Sequence, residues 1–145
     1  MRFKNVCIES IGHVLPKRVV TSAELEAGFS QTLARLGLPP GQVESLSGVK
    51  ERRWWEPGTQ PSAVAAMAGA RALQKAGVDP KRVGALINTS VSRDFLEPAT
   101  ACLAAGHLGV GHHCMVFDIT NACLGFANGL WIAANMIELG QVEDA

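Results

Sequence analysis

Short apolar runs alternate along this chain with helical periods, and glycine or proline closes nearly every one of them. Phe3–Val14 holds the β-type run Val6-Cys7-Ile8, then Ile11, and ends at Leu15-Pro16, which reads as a strand. Thr21-Ser22-Ala23-Glu24 is a capping box, so a helix is expected from Thr21 to about Leu36, with Gly37 as its stop. Pro39-Pro40-Gly41 is a loop, and Val43 to Gln60 reads as irregular, with the cluster Lys50-Glu51-Arg52-Arg53-Trp54-Trp55 inside it. A second helix is expected from Ser62 to Ala76, with a small-residue stripe at Ala65, Ala68, Ala72 and Ala76 and Gly77 beyond its end. Val83–Ser90 reads as a buried strand. Pro98 suits the first position of a helix that runs to about Leu108. Cys114–Ile119 is the next strand, and Leu124–Leu139 a last helix closed by Gly140. Strands that alternate with helices in this way predict an α/β layered domain with a largely parallel sheet.

Composition narrows what such a domain does. The 145 residues make one ordinary domain, and 48% hydrophobic against 18% charged residues excludes intrinsic disorder. Thirteen basic residues balance thirteen acidic ones, so the basic excess of a nucleic-acid binder is missing. Tyrosine is absent and glycine stands at 15, which favours close packing of small residues, and the apolar share runs high for a lone small domain, a hint of one face that something else covers. Cys7, Cys102, Cys114 and Cys123 form no Cys-x-x-Cys pair, and no secretory leader precedes them, so a reducing cytoplasm is expected. The apolar stretch Ala122–Leu139 is too short, and too often broken by Asn128, Asn135 and Glu138, to span a bilayer.

Chemistry concentrates at Val116-Phe117-Asp118-Ile119-Thr120-Asn121-Ala122-Cys123-Leu124-Gly125-Phe126. A buried strand turns sharply into a helix with a cysteine at the turn, the arrangement of a nucleophile elbow. Amides at a helix start can stabilise a thiolate, and the same N–H can point at an oxyanion that develops on a thioester carbonyl. Gly125 and Gly129, four apart, leave room for close packing or for an acyl chain. On these residues alone, Cys123 is either a nucleophile or a buried small hydrophobe.

Asn121-Ala122-Cys123-Leu124-Gly125-Phe126 resembles the active-site segment of the β-ketoacyl synthase III family of thiolase-fold condensing enzymes. Other landmarks fall in that family's order. Gly12–Thr21 resembles its N-terminal segment, Ser47-Gly48-Val49-Lys50-Glu51-Arg52 its Thr-Gly-Ile-x-Glu-Arg segment, and Asp79–Gly84 the approach to its second strand. Leu86–Pro98 resembles the branch that joins two long fatty acyl thioesters head to head in olefin synthesis. In that branch a glutamate at the place of Glu97 reaches across a dimer into the partner's site.

The resemblance implies the N-terminal half of a thiolase-like layered fold over residues 1–145, with a catalytic His and Asn supplied by a C-terminal half that this chain lacks. It implies Cys123 as acyl acceptor and Glu97 as the base for the second acyl group. Two unactivated thioesters can be joined only by removing an α-proton, a step that a decarboxylating synthase avoids by losing CO₂. Without the resemblance, Glu97 reads first as a charge placed at a helix start. Acyl-CoA or an acyl-carrier protein is the expected partner, with a homodimer or a complementary C-terminal chain, and no metal or cofactor.

The family's adenine-stacking Trp falls here at Gly41, so that contact does not carry over; Trp54 and Trp55 read either as its substitute or as packing and cation–π decoration beside Arg52 and Arg53. His13, His107, His112 and His113 are expected in structural roles, and Cys7, Cys102 and Cys114 in the core. The alternatives are a decarboxylating 3-oxoacyl-carrier-protein synthase III and, in another class, a non-catalytic half-fold or channel-shaping subunit.

Overall fold

The computed structural model describes residues 2–145 in two compact units, residues 15–58 and residues 2–14 with 59–145. In the first unit, β1 (Arg18–Thr21) pairs antiparallel with β2 (Glu51–Trp54), Arg18 opposite Trp54 and Thr21 opposite Glu51. The capping box forms as expected: Thr21 Oγ1 accepts the Glu24 N–H at 3.0 Å and opens α1 (Ser22–Ala27). The single helix expected to Leu36 is broken, however. Gly28 and Phe29 close tight turns onto Leu25 O and Glu26 O, Phe29 leaves helical geometry at φ −131°, and a second helix, α2 (Ser30–Arg35), starts afresh. Gly at the break lacks the helix preference that would carry one period through it. Gly37 ends α2 as expected, with the Leu38 N–H on Leu33 O at 3.0 Å.

Residues 43–60 are not irregular. They hold α3 (Gln42–Ser47) and β2, too short and too polar to show a period: only Arg52 of β2 is even half-buried. Their order comes from distant partners. Ser22 Oγ donates to Val49 O at 2.5 Å and accepts from Arg52 Nη2 at 3.0 Å. Trp54 lies on β2, and its cation is Arg18 across the ladder, 5.7 Å from the ring centroid, in place of the neighbouring arginines.

In the second unit, β3 (Ala85–Asn88) and β4 (Met115–Asp118) form a parallel ladder, with Ala85 opposite Met115 and Asn88 opposite Asp118. The helices are α4 (Pro61–Ala76), α5 (Thr100–Leu108) and α6 (Gly125–Glu138). α4 and α5 pack through small residues; a methyl group on Gly69 would stand 3.1 Å from Leu108 Cδ1. The buried apolar residues are correspondingly small, among them Ala66, Ala85, Ala101, Ala104, Ala105 and Ala134.

Two expectations are corrected here. Phe3–Val14 forms no strand, because among the described residues no strand pairs with it. It lies along α4 instead: Ser10 Oγ donates to Ala72 O at 2.8 Å, Arg71 Nη1 to His13 O at 2.9 Å, and a Cβ on Gly12 would fall 2.5 Å from Ala72 N. The stripe at Ala68 and Ala72 is what permits this approach. Cys7 and Cys102 are exposed and Cys114 is half-buried, so none belongs to the core that this chain forms by itself. Helical periodicity puts Ala101, Ala104 and Ala105 inside and turns Cys102 away from that face. Among the described residues no helix is long and apolar enough to cross a membrane.

Candidate active site

Because β3 and β4 run parallel as neighbours, the turns that follow them leave from the same edge of the ladder, where α/β sheets place their sites. Residues 89–99 follow β3 and carry Glu97. The turn after β4 carries Cys123.

That second turn is tight. Asn121 leads into a single 3₁₀ turn, Ala122–Leu124, before α6 begins. Ala122 has φ +43°, a left-handed conformation that a residue with a Cβ seldom adopts outside strained functional turns. Leu124 N–H bonds Asn121 O at 2.9 Å and Gly125 N–H bonds Ala122 O, so the N–H of Cys123 lies ahead of the first closed turn, where helix-start donors have no partner within the helix. Asn121 Nδ2 donates to Asn128 Oδ1 at 2.7 Å and ties the turn to the second turn of α6. The Cys123 side chain is exposed.

Of the two uses left open for Gly125 and Gly129, the structure selects close packing. A Cβ on Gly125 would stand 2.7 Å from Thr89 O, and one on Gly129 2.5 Å from Thr89 Cγ2. The start of α6 is therefore pressed onto the residue that follows β3, and only glycine allows it.

Glu97 is exposed on a segment tied down at both ends by carboxylates. Asp94 accepts the Ser62 N–H at the start of α4, at 3.2 and 3.4 Å. Asp118 accepts Thr100 N–H at 2.9 Å, Ala101 N–H at 2.8 Å and Asn88 Nδ2 at 3.1 Å. Pro98 is thus not the first residue of α5. The helix begins at Thr100 after Ala99, where Asp118 supplies acceptors for its open N–H groups. The carboxylate bonded to this helix start is Asp118, and Glu97 lies three residues before Thr100. Glu97 and Cys123 share the sheet edge, and within one chain their side chains do not hydrogen-bond each other.

Asp118, Asp94 and the Asn121–Asn128 pair were not singled out from the sequence as site residues. Asp118 had a signal, a charge inside the apolar run Val116–Ile119, and the two asparagines stand seven apart, two helical turns. Asp94 had none, because its partner Ser62 is 32 residues away. Cys114, the half-buried cysteine, has its thiol pushed up by burial, which disfavours its thiolate. Among the described residues no group of three His, Cys, Asp or Glu side chains stands close enough to hold a metal ion.

No protein-family model matches the chain. It is 43% identical over all 145 residues to the acyl-CoA:acyl-CoA alkyltransferase of Xanthomonas campestris pv. campestris, 43% of whose length it covers. It is 33% identical over 133 residues, 92% of the chain, to a beta-ketoacyl-[acyl-carrier-protein] synthase III of Roseiflexus castenholzii, of which it covers 38%. The crystal structure of cerulenin-bound OleA from Xanthomonas campestris superposes with a TM-score of 0.88 at 43% identity, over 97% of this chain and 42% of that one. The chain therefore spans about two fifths of the length of the relatives it matches.

Proposed function

We propose that this chain is the N-terminal part of a thiolase-fold condensing enzyme of the β-ketoacyl synthase III family, and that it carries the nucleophile and the base of a non-decarboxylating acyl-CoA condensation; its likeness to an acyl-CoA:acyl-CoA alkyltransferase and to OleA supports the reading. The carrying observation is the strained turn after β4, which presents an exposed Cys123 ahead of the first closed turn of its helix.

Cys123, as thiolate, attacks the carbonyl of a first long-chain acyl-CoA. The C–S bond to coenzyme A breaks, coenzyme A leaves as its thiolate, and an acyl-Cys123 thioester remains. The Cys123 N–H serves as one donor to the oxyanion of that step. Glu97, reaching from a partner subunit, takes the α-proton of a second acyl-CoA. The resulting carbanion attacks the acyl-Cys123 carbonyl, forms the carbon–carbon bond and returns the Cys123 thiolate. Histidine and asparagine side chains from a C-terminal half complete the site, in a cytoplasmic homodimer. The likeness to a beta-ketoacyl-carrier-protein synthase III favours a second reading, in which malonyl thioester supplies the carbanion by losing CO₂ and Glu97 is idle.

The test is made on the complete polypeptide with a long-chain acyl-CoA, the adduct being mapped by mass spectrometry. Acyl groups are expected on Cys123 and on none of Cys7, Cys102 or Cys114. Glu97→Gln should leave that acylation nearly intact and slow condensation by about 10²–10⁴-fold, the range for losing a general base. An adduct elsewhere sinks the nucleophile assignment. A wild-type enzyme that condenses only with malonyl thioester moves the protein to the second reading.

A further inference from the structure

The segment that bears Glu97 is an unusual place to hold a base. Of residues 90–98 every one is exposed except Asp94, with Phe95 at 52% and Leu96 at 82% exposure. Within this chain Phe95 and Leu96 lie open, and the contacts that hold the stretch are polar. Asp118 fixes the far end by holding Thr100 and Ala101, but its grip begins three residues after Glu97. On the near side the only inward-turned residue is Asp94, three residues before Glu97, and both its carboxylate oxygens face the Ser62 N–H. Ser62 is fully buried in the first turn of α4, a 16-residue helix. A carboxylate at that start gains from the open N–H groups and from the dipole, so the tether is charge-assisted and its far end is rigid.

We propose that Asp94 is the positioning residue for Glu97: it pins the near side of the segment to the start of α4 so that the Glu97 carboxylate is presented at one place. This rests on Glu97 being the base of condensation. Asp94 itself touches no reacting group. It acts on the second half-reaction alone, because Cys123 is held by a separate set of contacts, Asn121 with Asn128 and Gly125 with Thr89.

The experiment measures Cys123 acylation and carbon–carbon bond formation separately in the complete enzyme, for wild type, Glu97→Gln, Asp94→Ala, Asp94→Asn and the double variant Asp94→Ala/Glu97→Gln. Asp94→Ala should leave acylation unchanged, which also certifies its fold, and slow condensation about 10–10²-fold, the effect of a misplaced catalytic group. Asp94→Asn keeps an oxygen that can accept from Ser62 and should fall between wild type and Asp94→Ala. The double variant should be no slower than Glu97→Gln, because a tether has nothing to position once the base is gone.

Three results overturn the proposal: Asp94→Ala condensing at the wild-type rate, acylation falling as far as condensation, or losses that multiply in the double variant. Glu97→Gln condensing at the wild-type rate removes the base assignment and this inference with it. That outcome is distinct from failure of the tether alone, in which Glu97→Gln is slow and Asp94→Ala is not.

Discussion

The two turns at the sheet edge place their chemical groups by different physics. The turn after β4 is short and held by exclusion: Gly125 and Gly129 lie so close to Thr89 that one added methyl group has no room, and Ala122 absorbs the sharp reversal at φ +43°. The stretch after β3 is long and exposed, and is held by attraction, through Asp94 on the start of α4 and Asp118 on the start of α5. A nucleophile that must meet an oxyanion donor within tenths of an ångström suits a rigid steric seat. The Glu97 segment has, within this chain, only its tethers. Steric seats fail abruptly, whereas carboxylate tethers weaken by degrees.

The largest expected effect on the fold therefore comes from one methyl group at the first turn. Gly125→Ala puts a Cβ 2.7 Å from a backbone oxygen that cannot swing aside. It should cost about 3 kcal/mol, the upper end of ordinary overpacking, and slow Cys123 acylation by about 10²-fold if the turn moves by an ångström. Thermal unfolding and single-turnover acylation report both; wild-type values in either would show that the seat is softer than its contacts indicate.

A smaller effect is expected at the second stretch. Asp118→Ala leaves Thr100 and Ala101 without their acceptor and should cost about 1–2 kcal/mol, as for loss of a helix cap, with Asp118→Asn milder. Urea midpoints for both would check the order. An alanine variant as stable as wild type would mean that solvent replaces the carboxylate and attraction is not what holds α5.

The smallest effect sharpens the comparison away from the site. Glu26 accepts Gly41 N–H at 2.6 Å and Val43 N–H at 2.5 Å at the start of α3, and these bonds hold its carboxyl below the usual carboxylate value of 4.5. A group with a lowered native pKa stabilises the fold above its unfolded pKa and ceases to do so as pH falls through the lower native value. The unit of residues 15–58 should thus lose stability on acidification from 4.5 downward, and Glu26→Gln should flatten that part of the profile. The measurement is a denaturation midpoint against pH, and equal profiles for both proteins would dismiss the carboxylate tether here.

Much of this was legible in local pattern. The capping box at Thr21–Glu24, the stops at Gly37, Gly77 and Gly140, the strands around Ala85–Asn88 and Met115–Asp118 and the strand–Cys123–helix junction all formed where residue spacing put them. Each rests on neighbours within a few positions, which a linear chain displays directly. What only tertiary structure decided are the contacts made between distant residues. Phe3–Val14 has the apolar run of a strand but lies on α4, because a strand exists only with a partner. Glu51–Trp54 has no apolar alternation yet pairs with β1, because ladder bonds are made by backbone that every residue shares. Gly125 could have made room for a chain or for packing, and the nearness of Thr89, 36 residues earlier, decided it. Asp94 and Asp118 are ordinary acidic residues in the sequence. Folding turned them into tethers by bringing helix starts, with their unpaired N–H groups, to within hydrogen-bond reach.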